Sequence, residues 1–241
     1  MKYNRTVFAM LFVTLFAGTA FAANPYAGKF YASGDVRKAE FALTFDDGPG
    51  YITEDLLKLL AQRNVKATFF MLGSSARAFP QKAAAVQAAG HLVCNHTDTH
   101  KNWYKIGNSG NAGKVLEAEL NKAQESIRKA TGYSPYILRM PNGYSRPWVK
   151  ATAGRLGYTL VNWTYGSDWT KTPEDKMTAE YLKALEPGAI FLMHDGGGKV
   201  KEKNLRIVAR ILDEAAKKGL KPVRLDALLG ITVPAQGGAG K

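Results

Sequence analysis

Cysteine is almost missing from this chain, with one residue, Cys94, in 241. A lone thiol excludes any intrachain disulfide, so packing or a bound metal must hold the fold together. Histidine is scarce as well, with four residues, and the acidic groups are outnumbered 20 to 33 by Lys and Arg, leaving a formal charge of +13. No internal repeat and no Pro/Gly linker divides the interior, so the length fits one domain. No apolar run reaches the roughly 20 residues that a membrane span requires. What is present is enough apolar material for a full core, 46% hydrophobic and 11% aromatic against 22% charged, which excludes a disordered or low-complexity scaffold.

The first 22 residues carry Lys2 and Arg5, then an apolar stretch over 7–16, then Ala20-Phe21-Ala22 as an A-x-A cleavage site. This pattern predicts a secretory signal peptide over 1–22, a domain over 23–233 and a flexible tail over 234–241 (PAQGGAGK). The expected location is secreted or periplasmic, with no membrane span after cleavage. A basic chain outside the cytoplasm meets anionic envelope polymers rather than nucleic acid.

Short runs rich in Val, Ile, Phe and Leu at 41–45, 67–72, 91–94, 136–139, 158–162, 189–193 and 222–225 alternate with segments of helical period. That alternation predicts βα units and a largely parallel α/β sheet, with spacing alone leaving barrel and open sheet undistinguished. Thr53 is the expected cap of a first helix with Leu56, Leu57, Leu59 and Leu60 on its inner face, a second helix runs over 115–130, and Ser145 precedes another helix start at Pro147.

The chemistry sits where these strands end. FALTF is followed by Asp46-Asp47-Gly48-Pro49, two adjacent carboxylates on a tight turn that must point in different directions. Alone, such a pair is usually turn chemistry. HLVC is followed by Asn95-His96-Thr97-Asp98-Thr99-His100, and two imidazoles four apart share a face if the segment is helical. A metalloprotease helix needs Glu directly after the first His; Thr97 stands there, so that reading fails on its catalytic base. Two imidazoles and one carboxylate form a common divalent-metal set with open positions. Cys94 reads as a buried apolar residue rather than a ligand. Arg139-Met140-Pro141-Asn142-Gly143, Ser167-Asp168-Trp169 and Leu192-Met193-His194 end three further segments, each weak alone but regularly placed at strand ends.

Taken in order, TFDDGP (44–49), HTDTH (96–100), RMPNG (139–143), SDW (167–169) and LMH (192–194) resemble the motifs of the polysaccharide deacetylases with a NodB-homology domain, carbohydrate esterase family 4. The resemblance covers nearly all of the chain beyond the leader. It implies a single-domain, distorted and incomplete (β/α) barrel of about seven parallel strands. It also implies metal-dependent removal of N- or O-acetyl groups from sugar polymers. By the same resemblance Asp47, His96 and His100 are metal ligands, Asp46 is the general base, His194 the general acid with Asp168 beside it, and Arg139 orients Asp46. The main chain of Asn142 is the implied oxyanion donor, and Trp169 and Leu192 wall the acetyl pocket. The implied cofactor is one divalent ion, Zn2+ first, with Co2+ or Ni2+ accepted by the same ligands.

Two positions depart from the family pattern. Asn142 stands where an aromatic residue, often Tyr, is usual, and the stretch before Asp168 offers Tyr165 and Gly166 where an earlier Asp is usual. The first change removes a stacking surface but not a backbone donor. Five aromatics after the motifs, Trp103, Tyr104, Tyr144, Trp148 and Tyr165, are candidates for stacking on sugars, about half of them expected in the core. The expected substrate is an N-acetylglucosamine polymer, peptidoglycan first, then chitin or chito-oligosaccharide, then acetylated xylan. The competing class is a catalytically dead wall-binding domain.

Overall fold

A computed structural model describes residues 24–197 and 202–232; the leader expected at 1–22 and the tail expected at 234–241 lie outside the described residues. The strands are β1 (Phe30–Tyr31), β2 (Glu40–Asp46), β3 (Thr68–Met71), β4 (Leu92–Asn95), β5 (Ile137–Leu138), β6 (Thr159–Val161), β7 (Ile190–His194) and β8 (Lys221–Pro222). The helices are α1 (Thr53–Gln62), α2 (Gly73–Ala78), α3 (Pro80–Ala88), α4 (Trp103–Ile106), α5 (Ala112–Thr131), α6 (Pro147–Arg155), α7 (Glu174–Lys183), α8 (Lys203–Lys218) and α9 (Leu225–Leu229). Strands pair in parallel in the order β1-β6-β5-β4-β3-β2-β7, with β8 on β2. The sheet stays open; one bridge, Tyr165 to Phe191, links the segment beyond β6 back to β7.

Strand parity decides what faces what. On β2, Phe41, Leu43 and Phe45 point out into the layer of α1, α7 and α8, while Ala42 points into the curved sheet with Phe70, Leu92, Cys94 and Ile190. On β7, Phe191 and Met193 join the outer layer and Ile190 the inner one. With a period of two, Thr44 and Asp46, Leu192 and His194, and the residues that follow Cys94 and Ile137 by two, His96 and Arg139, all continue the inward set. Both strand faces are covered, which is why these runs read as continuous apolar segments. The helices bury stripes at i, i+3 and i+4, as in Leu116, Leu120, Ala123 and Ile127 of α5. Gly132 ends α5 with φ 72°, a backbone region that glycine enters without strain.

The base of the sheet is plugged by Leu225, Leu228 and Ile231, which join the inner cluster. The Leu225 N–H donates to Thr68 Oγ1 at 3.0 Å. This corrects the expected strand over 222–225: β8 ends at Pro222, the Val223 N–H makes one more bond to Phe41 of β2, and Leu225 already opens α9. Removing the Leu228 side chain, 1% exposed, costs roughly 2–5 kcal/mol by the usual scale for core truncations. One cap differs, and the helix expected to start at Pro147 does start there. Thr53 is the first residue of α1, not its cap, because its hydroxyl accepts the Gly50 N–H and donates to Asp195. Arg146 stands directly before α6, and no side chain caps that helix. Among the described residues no helix is long and apolar enough to cross a membrane.

Candidate active site

A cleft of about 530 Å³ opens at the carboxyl ends of the strands. Asp46, Asp47, His96, His100, Asp168 and His194 line it, with Asn142, Trp163, Trp169 and Leu192 on its walls. The five motifs thus converge, and Arg139 lies directly behind, bonded to Asp46.

Asp47 points a different way from Asp46 because its backbone turns left-handed, with φ 67°. Its Oδ1 lies 3.5 Å from His96 Nε2 and 3.6 Å from His100 Nε2. The 96–100 segment is not helical, which corrects the helical reading of the His spacing. Thr97 and His100 take φ of 69° and 52°, and these two left-handed residues, not a helix turn, bring the imidazoles together with ring centroids 5.3 Å apart. A β-branched residue at positive φ is strained, and the surroundings must hold it. Asn95 Oδ1 accepts the Thr97 N–H at 2.8 Å, and Glu119 accepts the N–H groups of Asp98 and Thr99 and the Thr99 hydroxyl. Arg77 and Lys122 then secure the Asp98 carboxylate.

The three side chains fit a divalent cation. Asp47 Oδ1 is buried and has no hydrogen-bond partner among the described residues, a costly orphan unless something positive meets it. His96 Nδ1 lies 2.8 Å from the Arg139 carbonyl, which only accepts, so Nδ1 carries the proton and the Nε2 lone pair faces Asp47. Burial, only partly offset by Asp47, pushes the His96 pKa down to about 3 and keeps that ring neutral. All three ligand atoms fall within 4.8 Å of one another, and the two measured spacings are close to the roughly 3.3 Å between donors of a tetrahedral site.

Asp46 and His194 are direct register partners across β2 and β7. Burial raises the Asp46 pKa, and the Arg139 charge pulls it back. Arg139, fully buried, donates to Asp46 Oδ1 and Thr44 Oγ1, both at 2.7 Å, and to the Asn162 carbonyl, while its guanidinium packs over Phe70 and Trp163. At His194 burial alone lowers the pKa, but the Asp168 hydrogen bond and charge, joined by Asp46 and Asp47, raise it to about 9. Asp168 Oδ1 takes His194 Nδ1 at 2.8 Å, and Oδ2 takes the His194 backbone N–H and Asn204 Nδ2. His194 Nε2 is therefore the nitrogen left for the cleft. Trp169, 37% exposed, stands edge-on to the His194 ring at 5.6 Å, and Leu192 is buried beside Gly166. Asn142, exposed, sits in a 3₁₀ turn with φ 54°, a conformation that Asn tolerates better than most side chains.

Several supporting residues were not singled out from sequence. Thr44 could have been, standing two before Asp46 on a strand. Asp195, next to His194, is buried against Gly48 and Thr53, and burial raises its pKa to about 7. Asn95, Glu119, Asn162 and Asn204 carry no local signal. His91, as a packing residue would, accepts the Ala67 N–H and is held near 4 by burial. Cys94 is buried and free. Of the five aromatics, Trp103 and Tyr144 are core residues, Trp148 and Tyr165 are half-buried, and Tyr104 is exposed. Where an earlier Asp is usual, Tyr165 bonds Ser167 and Glu180 instead.

Residues 33–161 match the family model described as polysaccharide deacetylase, and the chain belongs to that family, carbohydrate esterase family 4 with its NodB-homology fold. A peptidoglycan-N-acetylglucosamine deacetylase of Bacillus cereus is 32% identical over 198 residues, 81% of this chain and 70% of that one. A chitooligosaccharide deacetylase of Bradyrhizobium sp. is 36% identical over 157 residues, 64% and 69% of the two chains. A solved peptidoglycan N-acetylglucosamine deacetylase, in complex with 4-naphthalen-1-yl-N-oxidanyl-benzamide, is 30% identical with a TM-score of 0.77, covering 86% and 95%.

Proposed function

We propose that this protein is a metal-dependent, extracytoplasmic polysaccharide N-deacetylase that hydrolyses acetyl groups from N-acetylglucosamine residues, with peptidoglycan as the first substrate. The observation that carries this reading is the placement of Asp46 and His194 as register partners beside the Asp47, His96 and His100 cluster, in one cleft. A bound divalent ion, Zn2+ first, supplies Lewis acidity toward the acetyl carbonyl and acidity to a water.

Asp46, ionised by Arg139, takes the proton of the attacking water. The Asn142 backbone N–H stabilises the negative charge that develops on the carbonyl oxygen. His194, protonated below about pH 9, gives its Nε2 proton to the leaving amine, and Asp168 steadies the resulting change of charge. Trp169 and Leu192 hold the acetyl methyl and exclude water from that wall.

Acetate release from peptidoglycan, chitin oligomers and acetylated xylan, with and without chelator and added zinc, tests this reading. Chelator-sensitive release from one polymer supports the reaction and its substrate class. Binding of one metal per chain without release from any polymer favours a wall-binding domain.

A further inference from the structure

Deacetylases of peptidoglycan and of chitooligosaccharide both match this chain, so general likeness does not say whether the glycan is charged. A peptidoglycan strand carries carboxylates, and an acetylated chitooligosaccharide has none. The difference must be read by the surface around the cleft.

Two segments leave the cleft from neighbouring wall residues, one from His100 into α4 and one from Asn142 into α6. Neither residues 100–116 nor 136–158 include a single Asp or Glu, while they carry Lys101, Lys105, Arg146 and Lys150. The segments meet at Tyr144. Its buried ring is met edge-on by Tyr104 at 5.1 Å, and the Arg146 guanidinium lies over it at 5.2 Å. Tyr104 is 59% exposed and Arg146 is exposed. Arg37, Arg155 and Arg206, also exposed, hold Asp35, Glu117 and Glu174, whereas Arg128 and Arg210 hold no carboxylate among the described residues; what sets Arg146 apart is its place over an aromatic ring beside the cleft. Among the described residues the Arg146 side chain donates only to the Ser145 carbonyl, and no carboxylate pairs with it or with Lys105. Stacking on Tyr144 fixes the guanidinium without neutralising it, which leaves a pre-positioned, uncompensated fork. Asn142 provides no ring, Tyr144 is covered and Trp148 is half-buried, so Tyr104 is the exposed aromatic face of these two segments.

We infer that Tyr104 and Arg146 form a subsite for a carboxylate-bearing sugar next along the strand from the residue that loses its acetyl group. Tyr104 receives the sugar face and Arg146 the carboxylate. Each stands four residues from a cleft wall, within about 14 Å by chain reach, a span of a few linked rings. This subsite deepens the deacetylase reading and rests on it.

The test compares acetate release from peptide-free peptidoglycan strands, from strands with their peptides, and from chitooligosaccharides of equal length. Arg146→Ala is expected to lower kcat/KM on peptide-free strands about fivefold, chiefly through KM, and less than twofold on chitooligosaccharide. Arg146→Lys recovers part of that loss, and high salt erases the difference between wild type and Arg146→Ala. Tyr104→Ala weakens both substrates, because stacking is blind to charge. A loss confined to strands with peptides assigns the carboxylate to the peptide rather than to the sugar and overturns the inference. So does an equal loss on all substrates. Co-sedimentation with peptide-free strands, native or methyl-esterified, reads the same contact without turnover. Retention of wild type that needs free carboxylates and Arg146, without acetate release, refutes the deacetylase reading and leaves the subsite standing; charge-blind retention with normal release does the reverse.

Discussion

Arg139 donates to Asp46 Oδ1 at 2.7 Å, and these two buried side chains are each other's counter-charge. Arg139→Met leaves a carboxylate in an apolar wall, so Asp46 is expected to take up a proton at higher pH than in the wild type. The acidic limb of the kcat/KM profile moves to higher pH, and the urea midpoint falls by the equivalent of about 3–5 kcal/mol for a broken buried pair. Arg139→Lys keeps the charge but cannot reach Asp46, Thr44 and Asn162 together, so it recovers only part of either loss. An unmoved acidic limb in Arg139→Met refutes the pairing's role.

Asp46 and His96 are expected to separate by function. Asp46→Asn keeps bound metal and loses turnover by about 10²–10⁴, whereas His96→Ala loses both. Metal content by atomic emission, measured beside acetate release, checks this. Equal metal loss in the two variants refutes the division of roles.

With His194 as the proposed general acid, its pKa of about 9 is expected to set an alkaline limit on activity. Above that pH the ring has no proton to give, so activity falls; Asp168→Asn moves the fall to lower pH. The stability sign follows from the same shift. The folded pKa lies above the ordinary 6.5, so the contribution, on the order of 3 kcal/mol, is complete below pH 6.5 and lost as pH rises through about 9. Denaturant midpoints of wild type should therefore drop between pH 6.5 and 9 more than those of Asp168→Asn. Parallel curves for the two proteins contradict the coupling.

Glu119 pins the turn between the two histidines from 20 residues away on α5. Glu119→Ala frees the Asp98 and Thr99 amides, so Thr97 and His100 relax from their left-handed conformations. Metal affinity is expected to fall about 10–100-fold, the usual effect of removing such outer support. Competition with a chromogenic chelator measures it, at a temperature where circular dichroism shows the variant folded. Wild-type affinity in the folded variant excludes this role.

Much of the site was legible because it stands on strands. Alternation along FALTF and IFLMH places Asp46 and His194 on the inward face, and the chain itself puts Asp47, His96 and Arg139 just past three strand ends. The helical spacing of His96 and His100 misled, since the backbone reaches the same juxtaposition through two residues of positive φ. The start of α1 was displaced by one residue because the Thr53 hydroxyl is engaged by Gly50 and Asp195.

Sequence by itself determined the parallel α/β layout, the order of the motifs and the chemical types at the cleft, because period-two patterning and strand-end position are local properties of the chain. Only tertiary structure decided which polar groups support them. Asn204 meets Asp168 across 36 positions, Asp195 meets Thr53 across 142, and the Tyr104 ring meets the buried Tyr144 ring from another loop. Contacts of that separation depend on helix packing and strand register, and the burial that lowers His96 and the Asp168 contact that outweighs burial at His194 exist only once the chain has folded.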